Sequence, residues 1–268
     1  MKIGEALPQV FSKTYPALEP RTQMLLAASL LRFHQIDALP IGFKPRQKKR
    51  LAVLGYSCLE RLLQTDPKDY GKFLNLPCEK AAKQLATIDV DDDIQDLLKM
   101  FQKTRFGFAW VESEKLGGFA SLRDLLRLYK KGLIDTDMTV GEIASPIFSL
   151  PGDSRIETVL REMFNHRFRR VFIEGRKSLV TDRRIIGYIF STARLGEVSK
   201  NPKSLLDVNL GDLDAFEPPF VRDNSRVKAA ARVMENQTEE CLICEKGVIT
   251  PWDLVMKPLA AGKLRIKN

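Results

Sequence analysis

Two stretches decide the fold: "GGFASLRDLL" at 117–126 and "KGVITPWDLV" at 246–255. Gly118, Ser121 and Asp124 of the first match Gly247, Thr250 and Asp253 of the second, each at an offset of 129 residues. In both, a short apolar run enters a segment with helical spacing, so the hydroxyl and the carboxylate stand at a strand-to-helix join. Three coincidences at one offset point to an internal repeat.

Two weaker junctions fill the gaps. "LAVLGYSCLERLL" (51–63) has Ser57 and Glu60 at the same hydroxyl-x-x-acid spacing. "RIIGYIFSTARLGEV" (184–198) has an apolar run but Ala193 where the acid would stand. Gly55 and Gly187 are offset by 132 residues, close to the first offset.

Around all four junctions the order is the same. Extended segments ("KTYPALEP", "LATIDVD", "SPIFSLPGD", "EPPFVRD") precede apolar-periodic helices ("RTQMLLAASLLRF", "DDIQDLLKMFQK", "SRIETVLREMFNH", "SRVKAAARVMEN"), several opening on Asp or Ser as N-caps. Strand pairs follow: "IDALPIGF" with "LAVLGY", "FGFAWVE" with "GGFA", "RRVFIE" with "IIGYIF", and "ECLICE" with "GVIT". The expected fold is α/β, four β-α-β-β-α repeats. A unit of roughly 60 residues buries too little apolar surface alone, so the first should pair with the second and the third with the fourth. The expected units are 1–66, 67–134 (a linker helix and the second repeat), 135–200, and 201–268 with a basic tail; "TDMTVGEIA" (136–144) joins the modules.

Lys and Arg number 43 against 34 Asp and Glu, a net charge of +9, which suits an anionic partner or plain solubility. No apolar run approaches membrane length, and the start lacks a signal-peptide core. Cys58, Cys78, Cys241 and Cys244 form no disulfide framework, so a reducing cytoplasm is expected. The "CLIC" pair at 241–244 imitates half a zinc site. On a strand, however, positions three apart face opposite sides, no second pair exists, and His34 and His166 are distant in sequence, so buried thiols and no metal are expected.

The motifs "GFASLRD" (118–124) and "GVITPWD" (247–253), with the apolar-Pro-apolar strand in "IDALPIGF" (36–43), resemble the CBS domain, named after cystathionine β-synthase. The resemblance runs from roughly residue 5 to 257 and implies four tandem CBS domains in two Bateman modules. Such an arrangement is similar to the gamma subunit of AMP-activated protein kinase and to stand-alone microbial CBS proteins. It implies regulatory binding of AMP, ADP, ATP or S-adenosylmethionine in clefts between paired domains, with no catalytic cofactor and no catalytic domain left over.

Thr250-x-x-Asp253 can be read as a capping box, with Pro251 at the first helical position. The same geometry can hold a ligand. An aspartate at a helix start can accept from both ribose hydroxyls, the Ser121 or Thr250 hydroxyl and helix-start amides can meet phosphate, and Gly118 or Gly247 lets backbone approach closely. The resemblance favours ribose binding at Asp124 and Asp253, leaves Ser57 with Glu60 as a weaker site, and predicts none in the third unit.

By the same resemblance, His166, Arg167, Arg169 and Arg170 are phosphate candidates; otherwise they form a solvated edge. Lys44, Arg46, Lys48, Lys49 and Arg50 form a second basic cluster, the basis of an alternative in which the scaffold binds RNA or DNA. Trp252 suits core or interface packing better than base stacking. With no strict P-loop and no nucleophile–base pair, the expectation is a non-catalytic sensor acting on an unknown protein target, and a homodimer is compatible with it.

Overall fold

The computed structural model describes the 268 residues apart from 12–15, 35, 43–49, 115–116, 199, 238 and 268. Unit one holds α1 (Ile3–Ala6), α2 (Met24–His34), β1 (Ala38–Ile41), β2 (Leu51–Leu54) and α3 (Gly55–Gln64), and a link with α4 (Tyr70–Leu74) follows. Unit two holds β3 (Lys83–Gln84), β4 (Thr87–Asp89), α5 (Ile94–Thr104), β5 (Phe108–Glu112), β6 (Gly117–Ser121), α6 (Leu122–Lys131) and β7 (Ile134–Asp135). Unit three holds α7 (Val140–Ile143), β8 (Ser149–Leu150), α8 (Ile156–His166), β9 (Arg170–Ile173), β10 (Leu179–Thr181), α9 (Asp182–Ile189) and α10 (Thr192–Val198). Unit four holds α11 (Val227–Glu235), β11 (Leu242–Cys244), β12 (Gly247–Ile249), α12 (Pro251–Ala260) and β13 (Arg265–Ile266), which pairs back onto β7.

The units exchange their leading segments. β3 lies antiparallel to β2 of unit one before β4 runs parallel to β5 of its own unit. Ser145 bridges antiparallel to Val248 of unit four before β8 runs parallel to β9. Phe216 bridges antiparallel to Leu179 of unit three, and Phe220 then runs parallel to Ile243. In unit one, Val10 lies against Gly118 of unit two and Leu18 pairs in parallel with Ile41. The leading segments of units two, three and four thus pair with two hairpins each, and that of unit one packs a 3-10 turn on unit two, which fixes the pairing of one with two and of three with four.

Sheets hold each pair together and helices hold the pairs to each other. Leu85, Phe108, Trp110 and Phe119 with Ala38, Ala52 and Leu54 seal units one and two; Phe172, Leu179, Cys241 and Val248 seal three and four. The larger cores cross between modules. α2 and α3 share one with α8 and α9, and α5 and α6 share the other with α11 and α12. The helical periodicity explains this: Ile94, Leu97, Leu98 and Phe101 of α5 recur at three and four and are all buried. Each such side chain contributes about 1.5–3 kcal/mol on burial. Two phenols fix the crossings, Tyr129 donating to the Leu254 carbonyl at 2.7 Å and Tyr56 to that of Met163 at 3.2 Å.

The third hairpin differs from the sequence reading. "IIGYIF" is helical, within α9, and the second strand is Leu179–Thr181 after a turn at Gly175. An eight-residue helix covered by both α2 and α3 is apolar enough to look like a buried strand. The Asp and Ser caps are also corrected. The N-caps of α8 and α11 are Arg155 and Arg226, and Asp93 ahead of α5 makes no side-chain cap, its carboxylate pairing instead with the terminal ammonium at 3.1 Å. All four cysteines are buried, and no cluster of metal-ligating side chains occurs among the described residues. No described helix is long and apolar enough to cross a membrane.

A Cβ on Gly118 would lie 2.2 Å from the Val10 carbonyl oxygen, and one on Gly247, at φ 150°, would lie 2.1 Å from that of Ser145. Alanine at Gly247 is therefore expected to lower stability by about 1–3 kcal/mol, read as a fall in the urea midpoint. An unchanged midpoint would show that the leading segment yields freely.

Candidate functional site

Structurally aligned, the four helix starts carry Leu54, Ser121, Thr181 and Thr250 at the N-cap, and Ser57, Asp124, Arg184 and Asp253 three residues on. Two sequence assignments are thereby corrected. Ser57 occupies the acid position of unit one rather than its cap, with Glu60 one turn further along α3. In unit three the acid position belongs to Arg184, not Ala193.

At the even helix starts the capping geometry is complete. Asp253 Oδ2 accepts from the Thr250 amide at 2.8 Å and its hydroxyl at 2.7 Å. Its Oδ1 accepts from the Ser145 hydroxyl at 2.6 Å and faces the Lys257 ammonium at 3.0 Å. That ammonium also donates to the Ile143 and Ala144 carbonyls and to Ser145 Oγ. Asp124 Oδ2 accepts from the Ser121 amide and hydroxyl at 2.9 and 2.8 Å, and its Oδ1 lies 3.5 Å from Arg127. The carboxylates are 1% and 2% exposed, and the partner's leading segment closes over Gly118 and Gly247. The close backbone approach expected of these glycines is made by the chain itself. Trp252 is half-buried, with the Arg105 guanidinium 5.9 Å from its ring.

The odd helix starts differ from the even ones and from each other. In unit one a cavity of about 320 Å³ is lined by Ser57, Glu60, Arg61 and Gln64 of α3 and by Ala81 and Lys83 of the partner's leading segment. Arg61 donates to the Lys80 carbonyl at 2.8 Å. Among the described residues, the Ser57 hydroxyl, the Glu60 carboxylate and the Lys83 ammonium make no hydrogen bond or ion pair. In unit three Arg184 fills its own cleft, bound to Glu239 at 2.7 Å and to Asp214 at 2.5 Å.

The basic candidates separate. Arg169 is held by Asp37 at 2.5 Å and Asp182 at 2.7 Å, and Arg170 donates to the Glu240 carbonyl at 3.0 Å. Arg167 is an exposed left-handed cap on α8, and exposed His166 pairs with Glu162 and stacks near Phe168. Arg50 is not in a solvated loop. It is 1% exposed, paired with Glu112 and set 4.6 Å over the Trp110 ring, so it leaves the nucleic-acid set. Lys44, Arg46, Lys48 and Lys49 lie outside the described residues.

Arg169 belongs to an ion network joining all four units. Asp37 of unit one takes both Arg169 and a bidentate Arg183 from unit three at 2.7 and 2.9 Å. Arg183 reaches Glu240 of unit four at 3.7 Å, and Arg123 of unit two reaches the same carboxylate at 3.6 Å. Sequence reasoning missed Asp37, Arg123, Arg183 and Glu240. Only Arg183 had a local signal, the "TDRR" at 181–184, which reads as a capped helix start once the Gly175 turn is placed.

No protein-family model and no curated protein matches the sequence. Among solved structures, the chain is similar to a protein of Methanocaldococcus jannaschii described as a putative archaeal homologue of g-AMPK. The two share 17% identity and a TM-score of 0.81, over 96% of this chain and 99% of the other. A CBS domain protein of Pyrobaculum aerophilum complexed with AMP matches 47% of this chain and 90% of its own, at 14% identity and TM-score 0.36. The chain has the four-repeat CBS fold, as two paired modules.

Burial alone would push the Asp37 carboxyl up, but Arg169 and Arg183 outweigh it and hold the group far below the usual carboxylate range. A folded-state value below the unfolded one gives stability that is present above about pH 4 and lost as pH falls further. Asp37→Ala, which strands two guanidiniums, is expected to cost about 3 kcal/mol at pH 7 in urea unfolding. The gap to the parent should narrow as pH falls below about 4.

Proposed function

We propose that the chain is a non-catalytic regulatory protein that binds adenosine-containing ligands, AMP, ADP, ATP or S-adenosylmethionine, in clefts between paired units. The carrying observation is the unit-one cleft, where an unpaired carboxylate, hydroxyl and ammonium face one nucleoside-sized cavity. Glu60 accepts from the two ribose hydroxyls, Lys83 and Arg61 meet the phosphate, and Ser57 supplies a further hydrogen bond. A neutral hydroxyl would hold the diol less firmly than this carboxylate does.

Asp124 and Asp253, with Ser121 and Thr250, are the second pair of ribose positions. Binding there requires the diol to replace Arg127 or Lys257 at Oδ1 while Oδ2 keeps the cap. The displaced ammonium of Lys257 is then free to meet a phosphate. Arg169 and Arg170 stand between units three, one and four, and a phosphate reaching them would compete with Asp37 and the Glu240 carbonyl. Ligand acts on a protein target only through its differential affinity for two packings of the modules.

Burial pushes Cys58 up to about 12 and Cys241 up to about 11, which leaves neither as a thiolate near neutral pH.

Calorimetric titration with the four ligands tests the proposal. Glu60→Ala and Lys83→Ala are each expected to weaken AMP binding about 10-fold or more, since a hydrogen bond to a charged group contributes about 1.5–3 kcal/mol. Asp124→Ala and Asp253→Ala report the even clefts separately. Absence of binding by all four ligands to the parent would contradict the reading.

A further inference from the structure

A second cavity lies between the modules rather than within one. It measures about 580 Å³ and is bounded by α2 of unit one and α9 of unit three. Its apolar floor includes Ile36 and Ile186, and Phe33 and Tyr188 contribute rings. Phe33 is 79% exposed, an unusual position for a phenyl ring on a helix. Tyr188 is backed by the Arg194 guanidinium 5.8 Å from its ring.

Gly187 opens the floor. It sits inside α9, where glycine is the poorest helix former after proline. A left-handed φ does not explain it, and a Cβ there would meet no atom within 4 Å. The missing side chain therefore leaves bare helix backbone facing the cavity, a flat surface of the kind a ring can lie on.

The rim supplies charge. Arg32 is exposed and has no ion pair among the described residues. Arg184 is held by Glu239 at 2.7 Å and also pairs with Asp214, whose side chain is 91% exposed; a phosphate would replace only the Asp214 carboxylate, and Glu239 would keep its place. Arg183 is tied to Asp37 and only shapes the wall. Arg184 stands at the acid position of unit three, and the two carboxylates that line the cavity, Asp214 and Glu239, are both paired with it.

We propose that this inter-module cavity binds a planar aromatic ring carrying a phosphate. The ring lies over Gly187 between Phe33 and Tyr188, and the phosphate rests on Arg32 and Arg184, where bidentate guanidinium contacts suit it. Because the walls come from both modules, occupancy bears on how they pack.

The test is fluorescence titration of the full chain with 1-naphthyl phosphate, a purine-sized ring with a phosphate and no sugar. It is expected to bind, with 1-naphthol at least 10-fold weaker. Gly187→Leu fills the space without removing a contact and should leave the melting temperature unchanged or raised. That variant and Arg32→Ala should each weaken 1-naphthyl phosphate at least 10-fold, and Glu60→Ala should not alter it. Failure of 1-naphthyl phosphate to bind, or equal affinity for the parent, Gly187→Leu and Arg32→Ala, overturns the assignment. AMP binding that is lost in Glu60→Ala but kept in Gly187→Leu would leave the unit-one cleft standing alone.

Discussion

The structure depends on the exchange of leading segments. A short hairpin cannot bury its second strand alone, and in each unit that strand borrows cover from the partner. At units two and four the borrowed chain approaches so closely that only glycine fits beneath it, 2.2 Å and 2.1 Å being the distances a Cβ would have to a carbonyl oxygen. The same closeness shuts those clefts. The residues that most clearly announce the repeat are thus the ones that close it, with each carboxylate serving its own helix.

Asymmetry between odd and even units follows from this. Where the acid position holds Ser57, a cleft stays open and, among the described residues, Ser57, Glu60 and Lys83 make no hydrogen bond or ion pair; where it holds Arg184, the guanidinium turns to Glu239 and Asp214. The ring of units is locked by charge near its middle. Asp37 must satisfy two arginines from another module, and a buried carboxylate in that position stabilises only because both partners are present. Sheets close each pair, helices close the pairs on each other, and the ion network ties the four together. Any ligand that moves one module against the other must disturb this arrangement.

Much of the fold was legible in the chain. The offset of 129 residues gave the repeat, and apolar spacing of three and four placed α2, α5, α8 and α11 to within a few residues. The third hairpin was misread because "IIGYIF" is an unbroken run too short to display helical spacing, although Ile185, Ile186 and Ile189 fall on one buried face of α9. The site was less legible. Ser57 and Glu60 were noticed for their spacing, which puts Ser57 at a cap it does not hold, and no local pattern records that Lys83 from the neighbouring unit lines the same cleft. The Asp37 network joins residues 132 and 146 positions apart, and no local pattern records such a meeting. Arg50 looked like one more loop cation, and only packing shows it lying over the Trp110 ring.

The account's central claim is that the unpaired groups of the unit-one cleft are there for a nucleotide. A crystal structure of the full chain grown with saturating AMP tests it most directly. The account predicts AMP in that cleft, its ribose hydroxyls on Glu60 and its phosphate on Lys83. An empty unit-one cleft under those conditions, with Glu60 and Lys83 paired to each other or to the chain, would contradict it.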